Sequence, residues 1–488
     1  MQTGLLIGGK FVDGDAGARI AVHDPHDGSL ITEVAEAREA DVDRAVDAAT
    51  AAAPDWGNTP AAERGRILLR LADLIEHHAA DLALLETRDT GHPLRDTRGL
   101  DVPRTAATFR YFGGMADKVE GTVIPVERGF LNYVDRRPLG VVGQIVPWNF
   151  PVMFTSWKLG PALAAGNTVV LKPSELTPLS SLRIGELLAE AGLPDGVVNI
   201  VPGYGATAGA RIAGHPGIAK VAFTGSTPVG RSIVAASGGN LKRVQLELGG
   251  KGANIVFEDA DLAAAVAGSA FAIFHNQGQA CIAGSRLILH AAIADEFLER
   301  FTALARSIRV GNPKDPATEM GPLTSPAHRD RVQSFLRIAA DEGGTVLTGG
   351  TAPADPDLAA GCYLDPTVIS AEPGHRIATE EVFGPVVVVH TFDDETEGLR
   401  IANGTEYGLG AGLWTRDLSR AHRVARDLRA GMVWVNSYKR VNPGSPFGGV
   451  AGSGYGRDMG FEAMHGYTDP KSVWINVDAD LPAFYSGG

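Results

Sequence analysis

Short apolar segments alternate with helical segments through the middle of this chain, and no other feature of the sequence limits its fold so strongly. The first run of predicted strands covers residues 141–146, 168–171, 197–201, 221–223 and 244–248, and the predicted helices between them cover residues 153–165, 179–191, 206–213 and 229–236. Short apolar strands that alternate with helices form a parallel sheet covered on both faces. The sequence therefore predicts a doubly wound α/β lobe.

A second run of the same kind begins after Gly249 and Gly250. Its predicted strands cover residues 255–257, 287–289, 386–389, 410–414 and 433–435, and its predicted helices cover residues 262–274, 295–307 and 418–428. We therefore expect two doubly wound parallel-sheet lobes with a tight hinge near Leu248. Clefts between α/β lobes are where ligands usually bind.

Three stretches lie outside these two runs. Residues 41–88 are predicted to be helical, with a break near residues 54–60. Residues 119–137 contain short β-branched runs between turn glycines, which predicts a β-hairpin arm. The tail, residues 472–477, is predicted to form one more strand.

Composition and charge exclude several classes of protein. A chain of 488 residues is too long for one hydrophobic core, so two or three domains are expected. The net charge of −13 argues against a nucleic-acid partner and against an anionic membrane surface. No apolar run is long enough to span a membrane, no signal peptide is evident near the start, and the histidines show no metal-ligand spacing. The two cysteines, Cys281 and Cys362, are typical of thiols in a reducing compartment, so a cytoplasmic protein is expected.

Cys281 lies in a segment of small and amide residues that follows an apolar helix. A thiolate that attacks a carbonyl carbon needs room and nearby hydrogen-bond donors, and the glutamine, glycine and alanine residues around this sulfur provide the room. A buried structural cysteine is the alternative, and it is the more common fate of a lone intracellular cysteine. The segment alone leaves both interpretations open.

Three polar segments follow predicted strands of the first lobe. Prolines stiffen residues 147–151 and fix the direction of Asn149, whose amide could donate to an oxyanion or cap the next helix. Lys172 and Glu175 could hold a ribose diol from two sides or form a solvated turn. Residues 223–230 read as strand, glycine turn and helix, which suits a pyrophosphate at the helix N-terminus but also an ordinary helix cap.

Two acidic segments complete the set. Glu247 precedes two glycines, which suits a general base that takes a proton from a thiol or a water, although Glu247 could instead pair with Lys251. Residues 380–385 combine an acidic pair, Phe383 and a Gly-Pro turn. They could hold a second ribose, with Phe383 against a ring, or form an exposed turn.

Together these segments resemble the aldehyde dehydrogenase superfamily. Their order and spacing match the family from residues 147–151 to the segment Pro446-Phe447-Gly448-Gly449, and the resemblance covers essentially the whole chain. The segment from Glu247 to Lys251 and the Cys281 segment are highly specific to that family as a pair.

The resemblance implies a hydrolytic, non-acylating enzyme that oxidises an aldehyde to a carboxylic acid and passes hydride to NAD(P). Cys281 would attack the aldehyde to give a thiohemiacetal and then a thioester. Asn149 and the backbone N–H of Cys281 would form the oxyanion hole, and Glu247 would activate the water that hydrolyses the thioester.

The resemblance also assigns cofactor contacts. An acid at Glu175 would repel a 2′-phosphate, so NAD is expected, with NADP as an alternative that some similar family members accept. The expected cofactor-binding residues are Ile145, Val146, Pro147, Trp148, Lys172, Ser174, Glu175, Gly205, Phe223, Thr224, Gly225, Ser226, Val229, Leu248, Gly249, Glu381 and Phe383.

The expected wall of the aldehyde tunnel is apolar. It comprises Met153, Trp157, Ala280, Ile282 and Phe447. Because no arginine stands among these positions to hold a carboxylated substrate, an unbranched aliphatic or aromatic aldehyde is expected.

The same resemblance divides the chain into a Rossmann-like NAD-binding domain (residues 1–118 and 138–248), a catalytic domain (249–445) and a small β oligomerisation arm (119–137 and 466–488). Residues 446–465 would return to the cofactor domain. Edge strands of such an arm pair with another subunit, so a homodimer or homotetramer is expected.

Two departures from the family pattern and two rival functions remain. Ala451 stands where the family often has lysine, and Asp458 stands where it has glutamate, which leaves the part of Asp458 in deacylation open. One rival is an acylating enzyme that transfers the acyl group to coenzyme A or phosphate, against which Glu247 argues. The other is a catalytically silent binding protein, which typically lacks the cysteine or the glutamate.

Overall fold

The computed structural model describes residues 2–480 of the chain. Its strands, in chain order, are β1 (Leu5–Ile7), β2 (Lys10–Val12), β3 (Arg19–His23), β4 (Leu30–Ala35), β5 (Thr122–Ile124), β6 (Phe130–Pro138), β7 (Val141–Ile145), β8 (Thr168–Lys172), β9 (Val198–Ile200), β10 (Lys220–Thr224), β11 (Arg243–Glu247), β12 (Ala253–Val256), β13 (Arg286–His290), β14 (Thr345–Thr348), β15 (Thr367–Ser370), β16 (Val386–Phe392), β17 (Gly410–Trp414), β18 (Met432–Val435), β19 (Gly454–Tyr455) and β20 (Thr468–Asn476).

The α-helices pack around these strands. They are α1 (Glu39–Asn58), α2 (Ala61–His77), α3 (Ala79–Thr90), α4 (Leu94–Asp96), α5 (Val102–Met115), α6 (Pro151–Ala164), α7 (Leu179–Glu190), α8 (Ala210–Gly214), α9 (Thr227–Ser237), α10 (Leu262–Phe274), α11 (Ala294–Ser307), α12 (Pro326–Asp341), α13 (Arg376–Thr379), α14 (Glu395–Ala402), α15 (Leu418–Asp427) and α16 (Gly460–Gly466). Within residues 2–480, no helix combines the length and the apolar character that a membrane crossing requires.

The larger sheet has the strand order β19-β11-β10-β7-β8-β9-β1-β2. Its five central strands, β11 to β9 in that order, are parallel, and the antiparallel strands lie at the two edges. The chain runs from β7 to β8 and β9 on one side of β7 and then returns to β10 on the other side. Open α/β sheets bind ligands at such a reversal, beyond the carboxyl ends of the strands.

The second sheet has the strand order β14-β15-β16-β13-β12-β17-β18. Every neighbouring pair is parallel except β14 with β15. The predicted α/β fold with two parallel-sheet lobes is therefore confirmed, with antiparallel additions at the sheet edges.

A separate three-stranded sheet combines β5, β6 and β20. The tail strand β20 pairs antiparallel with β6 along nine residues, from Thr468 opposite Pro138 to Asn476 opposite Phe130. The predicted hairpin and the predicted tail strand thus form one structure, which exposes apolar side chains such as Val123 and Trp474. Residues 481–488 of the predicted arm lie outside the described residues, and the division into domains stays a prediction.

The predicted helix break near residues 54–60 is confirmed: α1 continues through Pro54 and ends at Asn58, and the extended Thr59 and Pro60 separate it from α2. The buried indole of Trp56 anchors the end of α1 on the core, which offsets the hydrogen bond that Pro54 removes. The short strands β1 to β4 and the helices α5 and α12 lie outside the predicted elements.

Candidate active site

Cys281 follows a left-handed turn at the end of α10. Asn276, Gln277 and Gly278 have φ angles of 56°, 54° and 70°. A Cβ atom at position 278 would lie 1.9 Å from the carbonyl oxygen of Gly384, so only glycine fits there. The turn lifts Cys281 out of the helix and presents it, half-buried, to a cleft between the two lobes.

The cleft contains twelve of the predicted site residues. Its water-accessible volume is about 220 Å³. The predicted residues that line it are Pro147, Trp148, Asn149, Thr224, Gly225, Ser226, Glu247, Leu248, Gly249, Cys281, Glu381 and Phe383. They follow the carboxyl ends of β7, β10 and β11 or lie on loops of the second lobe, so the strand reversal and the thiol face the same space.

Asn149 is buried and bonded to the cysteine segment. Its Nδ2 donates to the carbonyl oxygen of Gln279 at 2.9 Å, which leaves the second N–H of the amide for another acceptor. Asn276, which the sequence reasoning missed, donates from Nδ2 to the carbonyl oxygens of Asn149 and Gln279, each at 3.1 Å. The carboxamide and the nucleophile segment are therefore held together.

Glu247 ends β11 and is almost completely buried. Among the described residues, neither oxygen of its carboxyl has a hydrogen-bond partner. Burial raises the pKa of this carboxyl well above its usual range, and the nearby charge of Asp458 raises it further. A buried carboxyl with an unsatisfied oxygen facing a cleft is suited to accept a proton from a molecule bound there.

Asp458 belongs to a buried polar network beside Glu247. Lys158 Nζ lies 2.7 Å from Asp458 Oδ2, and both side chains are fully buried. Gln245 Nε2 donates to Asp458 Oδ1 at 2.6 Å. The Asp458 carboxylate is thus held by Lys158 on α6 and Gln245 on β11, both in the first lobe.

The surroundings of the Cys281 thiol disfavour its thiolate form. Burial raises the pKa of this thiol, and the negative charges of Glu381 and Glu247 raise it further. The backbone N–H of Ile282 and the charge of Lys439 oppose this shift. The thiol must therefore lose its proton as it attacks.

Lys172 and Glu175 contact each other at the end of β8. Lys172 Nζ donates to Glu175 Oε2 at 3.2 Å and to the carbonyl oxygen of Pro173 at 2.9 Å. Burial lowers the pKa of the Lys172 ammonium. The two side chains form a preformed pair of opposite charges beside the turn that carries Ser174.

The turn after β10 leads into the N-terminus of α9. Gly225 N–H donates to the carbonyl oxygen of Glu247 at 3.0 Å, which ties this turn to β11. A Cβ at position 225 would lie 2.4 Å from the ring of Phe223, so a larger residue there would displace this ring. Ser226 caps the helix without a side-chain cap hydrogen bond, and the first N–H groups of α9 face the cleft end of the sheet.

Glu381 lies across the cleft on the second lobe. One carboxylate oxygen accepts from the Gly250 N–H at 2.8 Å, and burial raises the pKa of Glu381 to about 7. Arg331, which was not predicted as a site residue, donates to the carbonyl oxygens of Glu381 and Val382 at 2.9 Å and 2.8 Å. The guanidinium therefore fixes the backbone that carries the carboxylate.

An aromatic group borders this side of the cleft. The ring centroid of Trp148 lies 5.3 Å from that of Phe383 and 4.9 Å from that of His328. His328, also missed from the sequence, lies 2.7 Å from the carbonyl oxygen of Phe383, and burial lowers its pKa to about 4, so its ring is neutral. No local pattern around His328 or Arg331 on α12 marks them as site residues.

The remaining predicted cofactor residues do not line the cleft. Ile145, Val146 and Phe223 are buried in or directly after the strands beneath it. Lys172 ends β8, Ser174 and Glu175 follow it, Gly205 follows β9, and Val229 is exposed on the first turn of α9. These groups surround the carboxyl edge of the larger sheet.

A second cavity meets the cleft at Cys281. All five predicted tunnel residues, Met153, Trp157, Ala280, Ile282 and Phe447, line it together with Phe150, Phe154, Phe271, His275 and Val441. Arg104 from α5 and Lys439 from the loop after β18 also line it. The expectation of a tunnel without an arginine was therefore wrong, because α5 brings in a residue from a part of the sequence without any motif.

Comparisons with known proteins agree on one family. The Aldehyde dehydrogenase family model matches residues 11–473. The NADP/NAD-dependent aldehyde dehydrogenase PuuC of Escherichia coli is 45% identical over 98% of this chain and 97% of its own. The mitochondrial aldehyde dehydrogenase of Homo sapiens is 45% identical over 97% of this chain and 92% of its own.

Solved structures give the same result. PnpE from Pseudomonas sp. WBC-3, in complex with nicotinamide adenine dinucleotide, superposes with a TM-score of 0.98 at 67% identity and covers 99% of this chain and 100% of its own. The NAD complex of an aldehyde dehydrogenase from Bacillus cereus has a TM-score of 0.96 at 43% identity, with 98% and 97% coverage.

Proposed function

The chain belongs to the aldehyde dehydrogenase family, and from this premise we propose how its residues carry out the oxidation of an aldehyde to a carboxylic acid with NAD or NADP. One observation supports the proposal above all others: Cys281, Glu247 and Asn149, far apart in the sequence, line one cleft.

The thiol of Cys281 is the nucleophile. Its sulfur forms a bond to the aldehyde carbon, its proton leaves through water in the open cleft, and the carbonyl oxygen becomes an oxyanion. The free N–H of the Asn149 amide and the backbone N–H of Cys281 donate to this oxyanion. Preorganised donors of this kind stabilise the charge where it develops.

The cleft suits a dinucleotide. The open N-terminus of α9 at Ser226 suits its pyrophosphate, the pair of Lys172 and Glu175 suits the adenine ribose, and Glu381 suits the other ribose. NAD, when bound, accepts the hydride that leaves the substrate carbon, and a thioester on Cys281 remains.

Glu247 completes the reaction. Its carboxylate takes a proton from a water molecule, which attacks the thioester carbon and breaks its bond to sulfur. The raised pKa makes this carboxylate a stronger base than an exposed glutamate. The ion pair of Lys158 and Asp458 lies near Glu247, and the charge of Asp458 contributes to the raised pKa of this carboxyl.

Asn149→Ala tests the oxyanion hole. Losing one donor typically raises the barrier by about 3 kcal/mol, so we expect kcat to fall by about 10²-fold or more. Asn149→Asp, which keeps the shape but replaces the donor by an acceptor, should lose at least as much. Stopped-flow measurement of NADH formation checks both variants, and a kcat close to that of the unchanged enzyme would remove Asn149 from the oxyanion hole.

Glu175→Ser tests cofactor selection. The substitution removes the negative charge and frees Lys172, so kcat/KM with NADP should rise by about tenfold or more relative to NAD. Steady-state kinetics with both cofactors measures the ratio, and Glu190→Ser at the exposed end of α7 is the matched control. An unchanged ratio would show that Glu175 does not face the 2′ position.

We further propose that the sheet of β5, β6 and β20 joins subunits into a homodimer or homotetramer in the cytoplasm. The exposed apolar side chains of this small sheet and its two edges, which are unpaired among the described residues, support the association of subunits. Light scattering of the purified chain measures the mass.

The overall proposal is tested by NADH absorbance after mixing the enzyme with NAD and an aldehyde, with and without coenzyme A. Free acid as the product in both reactions is the expected result. An acyl-coenzyme A product would support the acylating alternative.

A further inference from the structure

The tunnel beside Cys281 contains two basic side chains that form no ion pair within residues 2–480. Lys439 is 5% exposed, and its only hydrogen bond among the described residues is a long one, 3.4 Å from Nζ to the carbonyl oxygen of His275. Within residues 2–480, no carboxylate lies within ion-pair distance of Lys439 Nζ. Burial without a counter-ion lowers the pKa of Lys439 to about 7, and an anion bound beside Nζ would hold this side chain in its charged form.

Arg104 is the second cation. Across residues 2–480 its guanidinium makes no ion pair and no hydrogen bond, although it lies half-buried in the tunnel wall. The nearby acid Asp101 acts on Arg104 only through its charge: its Oδ2 lies 2.9 Å from His92 Nδ1, and neither of its oxygens bonds the Arg104 guanidinium. The planar fork of an arginine matches the two oxygens of a carboxylate.

His275, which lines the same cavity, can donate a hydrogen bond from its neutral ring. Both of its ring nitrogens are buried without a partner among the described residues. Burial and the charge of Lys439 hold the pKa of this ring well below its usual range, so the ring is neutral and carries one N–H. The three nitrogen-bearing side chains share one cavity with Cys281.

The wall of the tunnel supplies no negative side chain to balance these groups. Its remaining lining residues are apolar or aromatic, apart from Cys281 itself. Asp96 and Glu319 line a neighbouring cavity behind Phe271 and His275, where each lies within 3.6 Å of Arg95. Among the described residues, the tunnel wall therefore contains basic side chains and no carboxylate.

The backbone at Lys439 supports a role for this position. Its φ angle is 55°, a left-handed conformation that an ordinary residue rarely adopts. Such strain persists where the surrounding structure needs a side chain in one direction. Here the side chain is directed into the tunnel, with Nζ 5.9 Å from the centre of the Phe271 ring.

We propose that the substrate of this enzyme is an aldehyde that carries a carboxylate at its far end, bound by Arg104 and Lys439 while Cys281 attacks the aldehyde carbon. His275 donates a further hydrogen bond to the same carboxylate. The aromatic side chains around the tunnel contact the carbon chain between the two ends. This assignment of the substrate class rests on the proposed role of Cys281.

Matched substrates test the proposal. Succinic semialdehyde is compared with butanal, and 4-formylbenzoate with benzaldehyde, by kcat/KM. Charged hydrogen bonds contribute about 1.5–3 kcal/mol, so the carboxylated member of each pair should be preferred by about ten- to a hundredfold. Lys439→Met and Arg104→Gln should each lower that preference by about tenfold or more, whereas Arg98→Gln, an exposed arginine near α5, should not change it.

Alkylation of Cys281 provides a second readout that needs no hydride transfer. Iodoacetate is anionic and iodoacetamide is neutral, so the unchanged enzyme should favour iodoacetate more than Lys439→Met does, as followed by mass spectrometry of the Cys281 peptide. If Lys439 served only to ionise the thiol, Lys439→Met would slow both reagents equally and leave their ratio unchanged.

The outcomes separate the two proposals. Oxidation of the uncharged aldehydes without any preference for the carboxylated ones, together with an unchanged alkylation ratio, overturns the carboxylate site and leaves the dehydrogenase mechanism standing. No NADH from any aldehyde, with the alkylation preference retained, overturns the mechanism at Cys281 and supports the anion site.

Discussion

Cys281→Ala is expected to abolish NADH formation from aldehydes. The substitution removes the only group in the cleft that can form the thioester, and loss of a covalent nucleophile costs about 10⁴- to 10⁶-fold in kcat. Alanine is smaller and apolar, so the half-buried position tolerates it and the fold should be retained. A coupled spectrophotometric assay with NAD and an aldehyde in excess measures the loss.

Cys362→Ala is the matched control for this result. Cys362 is the other cysteine of the chain, buried in the core of the second lobe with Leu364 and Ile377, and it does not line the cleft. Its replacement should leave kcat near that of the unchanged enzyme. Retained turnover in Cys281→Ala, or lost turnover in a folded Cys362→Ala, would contradict the assignment of the nucleophile.

Glu247→Gln is expected to separate the two halves of the reaction. The amide cannot accept a proton from water, so steady-state turnover should fall by about 10²- to 10⁴-fold, the usual contribution of a general base. Thioester formation does not need this base, so rapid mixing should still show a burst of about one NADH per active site. The burst followed by a slow phase is the signature of a trapped thioester.

An added nucleophile sharpens this test. Hydroxylamine attacks a thioester without a general base, so it should restore turnover in Glu247→Gln and give a hydroxamate. Glu247→Asp keeps a carboxylate set back by one methylene and should retain part of the hydrolysis. If Glu247→Gln shows no burst at all, Glu247 acts before the thioester forms, and its assignment to hydrolysis alone is wrong.

The sequence predicts secondary structure and site segments best where the pattern is local. The predicted strands and helices after residue 140 come from short apolar runs and helical spacing, and the structure has them within a few residues of the expected bounds, whereas β14, β15 and β19 were not predicted. The segments around Asn149, Glu247 and Cys281 combine turn residues with reactive groups, so each could be singled out separately. Their meeting in one cleft followed from the family resemblance, since no spacing in a single sequence reports it.

The remaining features of the site depend on contacts between distant parts of the chain. Arg104 lies on α5 and Lys439 in the loop after β18, and neither stands in a motif; the cavity that joins them exists only after both lobes have folded. His328 and Arg331 on α12 reach the cleft in the same way. The raised pKa of Glu247 is a consequence of burial, which a list of residues does not reveal.

The turn at Gly278 has a consequence for engineering this enzyme. A side chain there would collide with the carbonyl oxygen of Gly384, which follows Glu381 and Phe383. A mutant library that diversifies one of these two loops must hold Gly278 constant, or sample both loops together. Variety in substrate choice is better sought on the tunnel wall, where new side chains do not displace the thiol.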